Sequence, residues 1–153
     1  MLTIVFVDDK RFYHHAFSKL LYSTLSKEGY KCDLVCFDNA LSAIQYFSEK
    51  YFSNNRTSHI VILDGHLHSN AIGPHGPDIA SRIVNDDNKD LIVSFSDNDA
   101  MTAEFSKILG DTHTKLPKQL SSCVINEKIL PLVRTILEPA LANHSPETLK
   151  LQR

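Results

Sequence analysis

The stretch His59-Ile60-Val61-Ile62-Leu63-Asp64-Gly65 decides the fold. Ile60 to Leu63 form an unbroken apolar run rich in β-branched residues, and a carboxylate and a glycine close it. A short apolar run bounded by turn chemistry reads as a strand buried on both faces. A side chain at the carboxyl end of such a strand stands in the crevice where open α/β sheets bind their ligands. Asp64 is therefore the candidate chemical centre of the chain.

Working outward, Leu2 to Val7 (LTIVFV) repeats the pattern and ends in Asp8-Asp9, which predicts a second buried strand. Cys32 to Phe37 is shorter and more mixed, as expected nearer a sheet edge; Leu91 to Phe95 reads as a fourth strand and His113 to Leu116 as a weak fifth. Helical spacing fills the gaps. Phe17, Leu20, Leu21, Thr24 and Leu25 share a face that Gly29 ends, and Ala40, Ala43, Ile44 and Phe47 follow a cap at Asp38 or Asn39. Pro77 suits a first helical position ahead of Ile79, Ala80, Ile83 and Val84. Ser96 to Asp99 is cap chemistry for a helix carrying Met101, Phe105, Ile108 and Leu109 and stopped by Gly110. The last helix holds Ile129, Leu130, Val133, Ile136, Leu137 and Ala140; Pro131 makes it start near Leu130 or distorts its first turn. Strand and helix alternating in this way predict an α/β fold, a doubly wound five-stranded parallel sheet with helices on both faces.

The 153 residues suit one domain, with a polar tail from 143 to 153. A net charge of -2 and the lack of any basic run argue against a nucleic-acid partner. The N-terminus lacks a basic region and its apolar run is too short for a signal peptide, and no window reaches the length of a membrane span. A cytoplasmic protein is expected, with Cys32, Cys36 and Cys123 as reduced packing residues.

The chemistry gathers at the strand ends. Asp8, Asp9 and Asp64 close two strands that neighbour each other in a doubly wound sheet. Each alone also reads as a turn or cap residue. Like charges held together raise a carboxyl pKa unless a cation is present, and Mg2+ prefers such oxygen ligands. Ser96 adds a hydroxyl and Lys118 an ammonium, although separately they read as a helix cap and a surface lysine. An Asp nucleophile, a divalent cation, a hydroxyl and a lysine suit phosphoryl transfer, which needs positioning and charge neutralisation.

With these motifs the chain resembles the receiver domain of bacterial two-component response regulators. The resemblance covers residues 1–142 and is carried by IVFVDD (Ile4 to Asp9), IVILDG (Ile60 to Gly65), GPDIASRI (Gly76 to Ile83), IVSFS (Ile92 to Ser96) and LPK (Leu116 to Lys118). It implies strand order 2-1-3-4-5, Asp64 as phosphoacceptor, Ser96 as switch hydroxyl and Lys118 as the active-site lysine. It also implies direct Mg2+ ligation by Asp9 and Asp64, with Asp8 acting largely through water and the His66 backbone carbonyl as a further ligand. His66 and Asn98 fall where the family tunes the lifetime of the phosphate. The implied protein is a stand-alone response regulator that catalyses its own phosphorylation and dephosphorylation without being an enzyme otherwise. Its donor would be a histidine kinase or histidine phosphotransfer protein, and a downstream protein would read the signal.

The chain departs from the pattern in three places. Gln119 follows Lys118 where the family has a proline after a cis bond, which predicts a trans loop with a displaced lysine and makes Lys115 a rival. Lys115 also stands where many regulators carry a switch aromatic. The loop after Asp64 is long and carries His66, His68 and His75, which invites a transition-metal reading against the plainer one of exposed loop histidines. His14 and His15 read as surface residues. Two other functions compete: a degenerate receiver-like interaction module that phosphorylation does not switch, and a phosphatase with an Asp nucleophile. The phosphatase needs a second Asp two residues after Asp64, where His66 stands.

Overall fold

The structure, a computed structural model, describes residues 2–51, 58–67 and 73–138. Five strands, β1 (Thr3–Val7), β2 (Asp33–Phe37), β3 (His59–Asp64), β4 (Ile92–Phe95) and β5 (Lys115–Leu116), form one sheet in the order β2-β1-β3-β4-β5. Every pairing is parallel. The helices are α1 (Arg11–Glu28), α2 (Ala40–Tyr46), α3 (Gly76–Ile83), α4 (Asp99–Leu109), α5 (Ser122–Val124) and α6 (Leu130–Leu137). The expected doubly wound architecture is present.

The unbroken apolar runs have a direct cause: alternate side chains serve two cores. Ile4, Phe6, Ile60, Ile62, Val93 and Phe95 meet Phe17, Leu21 and Leu25 of α1 together with Ile129, Leu130 and Val133. Val5, Val7, Val61, Leu63 and Ile92 meet α2, α3 and α4 on the other face. Burying strands on both sides makes them almost wholly apolar, and the buried Ser94 of β4 is kept by its bond to His113. The edge strand β2 is only partly covered, which is why its sequence is mixed.

Local signals explain the ends of the helices. Gly29 takes the left-handed conformation (φ 75°) that ends α1, and its N–H and that of Tyr30 satisfy late carbonyls of the helix. Of the two cap candidates for α2, Asn39 performs the role, its side chain accepting from Ser42 N at 2.8 Å. Element ends differ from expectation in several places. Pro77 is the second residue of α3, not the first, because His75 is the N-cap. Leu91 lies in a 3-10 turn (Lys89–Leu91), so β4 starts at Ile92. The fifth strand keeps only Lys115 and Leu116, because His113 turns aside to bond Ser94 and Gly110 O. The last helix, α6, starts at Leu130 with Pro131 in its first turn, as expected, but helical winding already begins at Ser122, behind a Ser121 cap. It passes through a π-helical turn (Ile125–Ile129) just before Pro131, and this widened turn accommodates a residue that cannot donate into a regular helix.

The cysteines are free, but only Cys32 packs against the core; Cys36 and Cys123 are exposed, contrary to the packing role expected of them. Among the described residues no helix is long and apolar enough to cross a membrane. The tail from 143 to 153, Ala140 and His68 lie outside the described residues.

Candidate functional site

Register builds the site. Val7 pairs with Leu63, and both chains then leave the sheet at the same level, which sets Asp8 abreast of Asp64. Asp8 is fully buried: one carboxylate oxygen accepts from Lys10 N at 2.8 Å and the other from Lys118 Nζ at 2.8 Å. Asp64 is 5% exposed and its Oδ1 stands 2.7 Å from the same ammonium. Asp9 is exposed on the wall of an open cleft of about 600 Å³ that Asp64, His66, Ser96 and Lys118 also line. Carboxylate oxygens of Asp8, Asp9 and Asp64 all lie within 4.8 Å of one another.

One lysine faces three acids, so the charge is not balanced. Burial, with Asp8 and Asp9 adding to it, pushes the Asp64 carboxyl up to about 6 against the pull of Lys118. Burial also disfavours the charged form of Lys118, but its bonds to Asp64 and Asp8 outweigh that and hold its pKa above the usual lysine value. An all-oxygen donor set with surplus negative charge fits a hard divalent cation such as Mg2+. Both oxygens of Asp8 are already engaged, whereas Asp9 is open to solvent.

Ser96 and Asn98 stand on the opposite wall. The Ser96 hydroxyl accepts from Asn98 N at 3.0 Å, and Asn98 caps α4 by accepting from Met101 N at 2.9 Å. Ser96 is therefore both a turn residue and a hydroxyl facing the cleft. The expected displacement of Lys118 does not occur: no cis peptide bond is present among the described residues, and the ammonium still reaches both acids. Its rival Lys115 points elsewhere, donating to Asp111 O at 2.6 Å and His113 O at 3.2 Å.

The histidines divide. His66 is exposed beside the cleft, its ring centroid 5.6 Å from that of His75. The His75 Nδ1 accepts from Leu67 N at 3.1 Å and its backbone N–H donates to Asp78, so His75 pins the loop to the start of α3. His14 is not a plain surface residue: it is half-buried, its Nε2 donates to Asp8 O at 2.6 Å and its ring meets Phe6 edge-on. His15 is exposed.

Sequence reading missed Tyr13, Asp97 and Phe95. Asp97 Oδ1 accepts from Lys118 N at 3.0 Å, and the lysine ammonium lies 4.4 Å from the Tyr13 ring centroid and 4.1 Å from that of Phe95. Tyr13 stands in the first turn of α1, and Asp9 precedes that helix, so no helical spacing links the two in the sequence.

A five-stranded parallel sheet in this order, with acids and a lysine at the mouth between β1 and β3, is the architecture of a receiver domain. The chain has that fold. It is similar to the response regulator receiver domain from Rhodospirillum rubrum (16% identity, TM-score 0.57, 89% of this chain and 95% of that one). It is similar also to the signal receiver domain of an HD domain-containing protein from Pseudomonas fluorescens (18% identity, TM-score 0.63, 90% of this chain and 95% of that one). A third is the signal receiver domain of a DNA-binding response regulator from Colwellia psychrerythraea (15% identity, TM-score 0.64, 88% of this chain and 99% of that one). No protein-family model and no curated protein matches the sequence.

Proposed function

We propose that the chain is a response regulator receiver that accepts a phosphoryl group from a phosphohistidine onto Asp64 and signals through altered protein–protein contacts. The observation that carries this reading is the Lys118 ammonium between Asp8 and Asp64, at 2.8 and 2.7 Å, at the open mouth of the sheet. In the transfer, an Asp64 carboxylate oxygen attacks phosphorus as the P–N bond breaks. The bond pair goes to the departing imidazole nitrogen, which takes a proton from solvent. Lys118 pairs with a phosphoryl oxygen, and Ser96 turns its hydroxyl proton towards another. Asp9, Asp64 and the His66 carbonyl would hold a divalent cation, with Asp8 acting largely through water, and the cation would supply charge neutralisation that one lysine cannot provide. Hydrolysis of the Asp64 acyl phosphate by water then resets the protein. The donor is a histidine kinase or a histidine phosphotransfer protein, both of which work in the cytoplasm.

Acetyl phosphate with Mg2+ tests the assignment. The protein gains one phosphoryl group by intact mass, and Asp64→Ala and addition of EDTA each abolish the gain. Labelling that persists in Asp64→Ala would refute the site.

One observation favours a second reading, an interaction module that does not switch. Lys115 occupies the position of a switch aromatic and is tethered to two backbone carbonyls, so β5 offers no ring to reorient. Amide NMR shifts that ignore Mg2+ and beryllofluoride together would support it; shifts spreading from Asp64 to α4 and β5 would remove it.

A further inference from the structure

We propose that Tyr13 and Asp97 are positioning residues for Lys118, fixing the ammonium over Asp64 and Asp8 where the chain lacks a proline after the lysine. The inference rests on the phosphoacceptor reading above and adds residues to it.

A lysine is a point charge on a flexible four-carbon stem, so placing it requires restraint at both ends. The backbone end is held by Asp97, whose Oδ1 accepts from Lys118 N at 3.0 Å and ties the loop after β5 to the loop after β4. The ammonium end sits in an aromatic corner. The rings of Tyr13 and Phe95 stand at 90° with centroids 5.2 Å apart, and Nζ lies 4.4 and 4.1 Å from them. A cation over such faces is attracted by the ring quadrupole. The rings also displace water, which leaves the lysine side chain 17% exposed and strengthens its pairing with the two acids.

The corner is anchored from below. Phe95 packs on Phe6 at 5.4 Å between centroids, and Phe6 stacks on Phe17 of α1 at 4.5 Å. Phe95 therefore belongs to the core as well as to the site. Tyr13 packs only against the edge of that core: it is half-buried, it lines the cleft, and its chain neighbour Phe12 is 72% exposed. Tyr13 turns inward from the first turn of α1 to meet the lysine. Because it touches Lys118 and not the reacting atoms, its effect on transfer runs through that side chain.

The test uses the full chain as wild type, Tyr13→Phe, Tyr13→Leu and Asp97→Ala. Two readouts are taken: the NMR shifts of the Lys118 ε-methylene in metal-free protein, and the rate of Asp64 labelling by acetyl phosphate with Mg2+. In wild type and Tyr13→Phe, ring currents hold the Lys118 ε protons upfield of those of the exposed lysines, and the two label at the same rate. In Tyr13→Leu the resonance moves downfield and labelling slows by about fivefold, the worth of one cation–π contact at a partly buried site. Asp97→Ala slows labelling and shifts the Lys118 amide, without removing the ring-current shift. Tyr13→Leu with unchanged lysine shifts and an unchanged rate, beside a wild type that labels normally, overturns the positioning role alone. A wild type that takes up no phosphoryl group overturns the phosphoacceptor reading and the positioning role with it.

Discussion

A Cβ added at Gly76 would stand 2.1 Å from the backbone carbonyl oxygen of Asp64 and 2.7 Å from Cζ of Phe105. The first residue of α3 thus lies directly against the end of β3, and Gly76 N donates to Gly65 O at 3.0 Å to hold it there. Gly76→Ala is expected to lower stability by about 1–3 kcal/mol, because the obstruction is backbone and cannot rotate away. Urea denaturation would measure this. A midpoint equal to that of the wild type would mean that α3 is not pressed onto β3.

The two lysines near the sheet mouth separate cleanly. Lys118→Met leaves the fully buried Asp8 beside Asp64 with no cation, and the metal-free protein is expected to lose about 3–5 kcal/mol at neutral pH. Added Mg2+ recovers part of the loss through binding to the native acids. Lys115→Ala removes bonds to two backbone carbonyls, one exposed and one part-buried, and is expected to cost under about 1 kcal/mol. Equal losses in the two variants would contradict the geometry of the site.

The raised carboxyl of Asp64 makes metal-free stability depend on pH in a definite direction. Its folded value is about 6 against an ordinary 3.8, so between them the folded chain holds a proton that the unfolded chain has released. The contribution is fully present below about pH 3.9 and is lost as pH rises through the folded value. Asp64→Asn escapes that loss. The stability of the variant minus that of wild type is therefore expected to climb between pH 4 and 6, reaching roughly 2–3 kcal/mol in EDTA. A flat difference would show that Asp64 is an ordinary solvated carboxylate.

What the sequence displayed and what it hid have physical causes. β1 and β3 were legible because strands covered on both faces hold mostly apolar residues, and their terminal acids were legible for the same reason: Asp8 and Asp64 break the run. Lys118 was visible as a residue but not as a placed one. Its restraints come from Tyr13, more than a hundred positions earlier in the chain, and from Asp97, which reads locally as helix-cap chemistry. His14 was hidden because its partner is a backbone carbonyl, which carries no sequence signature. The early start of the C-terminal helical segment was masked by Pro131, whose usual meaning is a break; the π-helical turn before it removes the conflict.

His113 carries the last prediction. It is 6% exposed and uses both ring nitrogens: Nδ1 donates to Gly110 O at 2.8 Å, and Nε2, 2.8 Å from Ser94 Oγ, accepts from that hydroxyl. A carbonyl only accepts, so a proton sits on Nδ1, and burial, which disfavours the imidazolium, leaves Nε2 free to accept from the hydroxyl at neutral pH. Burial lowers its pKa below 6.5, and Lys115 adds to that against the Gly110 bond and Asp111. Below the unfolded value the unfolded chain takes up a proton that the folded ring resists, so stability from His113 is present above about pH 6.5 and is lost as pH falls. His113→Phe strands the Ser94 hydroxyl, while Gly110 O keeps its bond from the backbone N–H at position 113, and at pH 7.5 the substitution is expected to cost about 1–3 kcal/mol. The cost shrinks towards pH 5, because wild type weakens there while the variant has no imidazole to protonate. Urea midpoints of both proteins across that range would show the gap narrowing with acid; a gap that widens would mean His113 is held as the imidazolium.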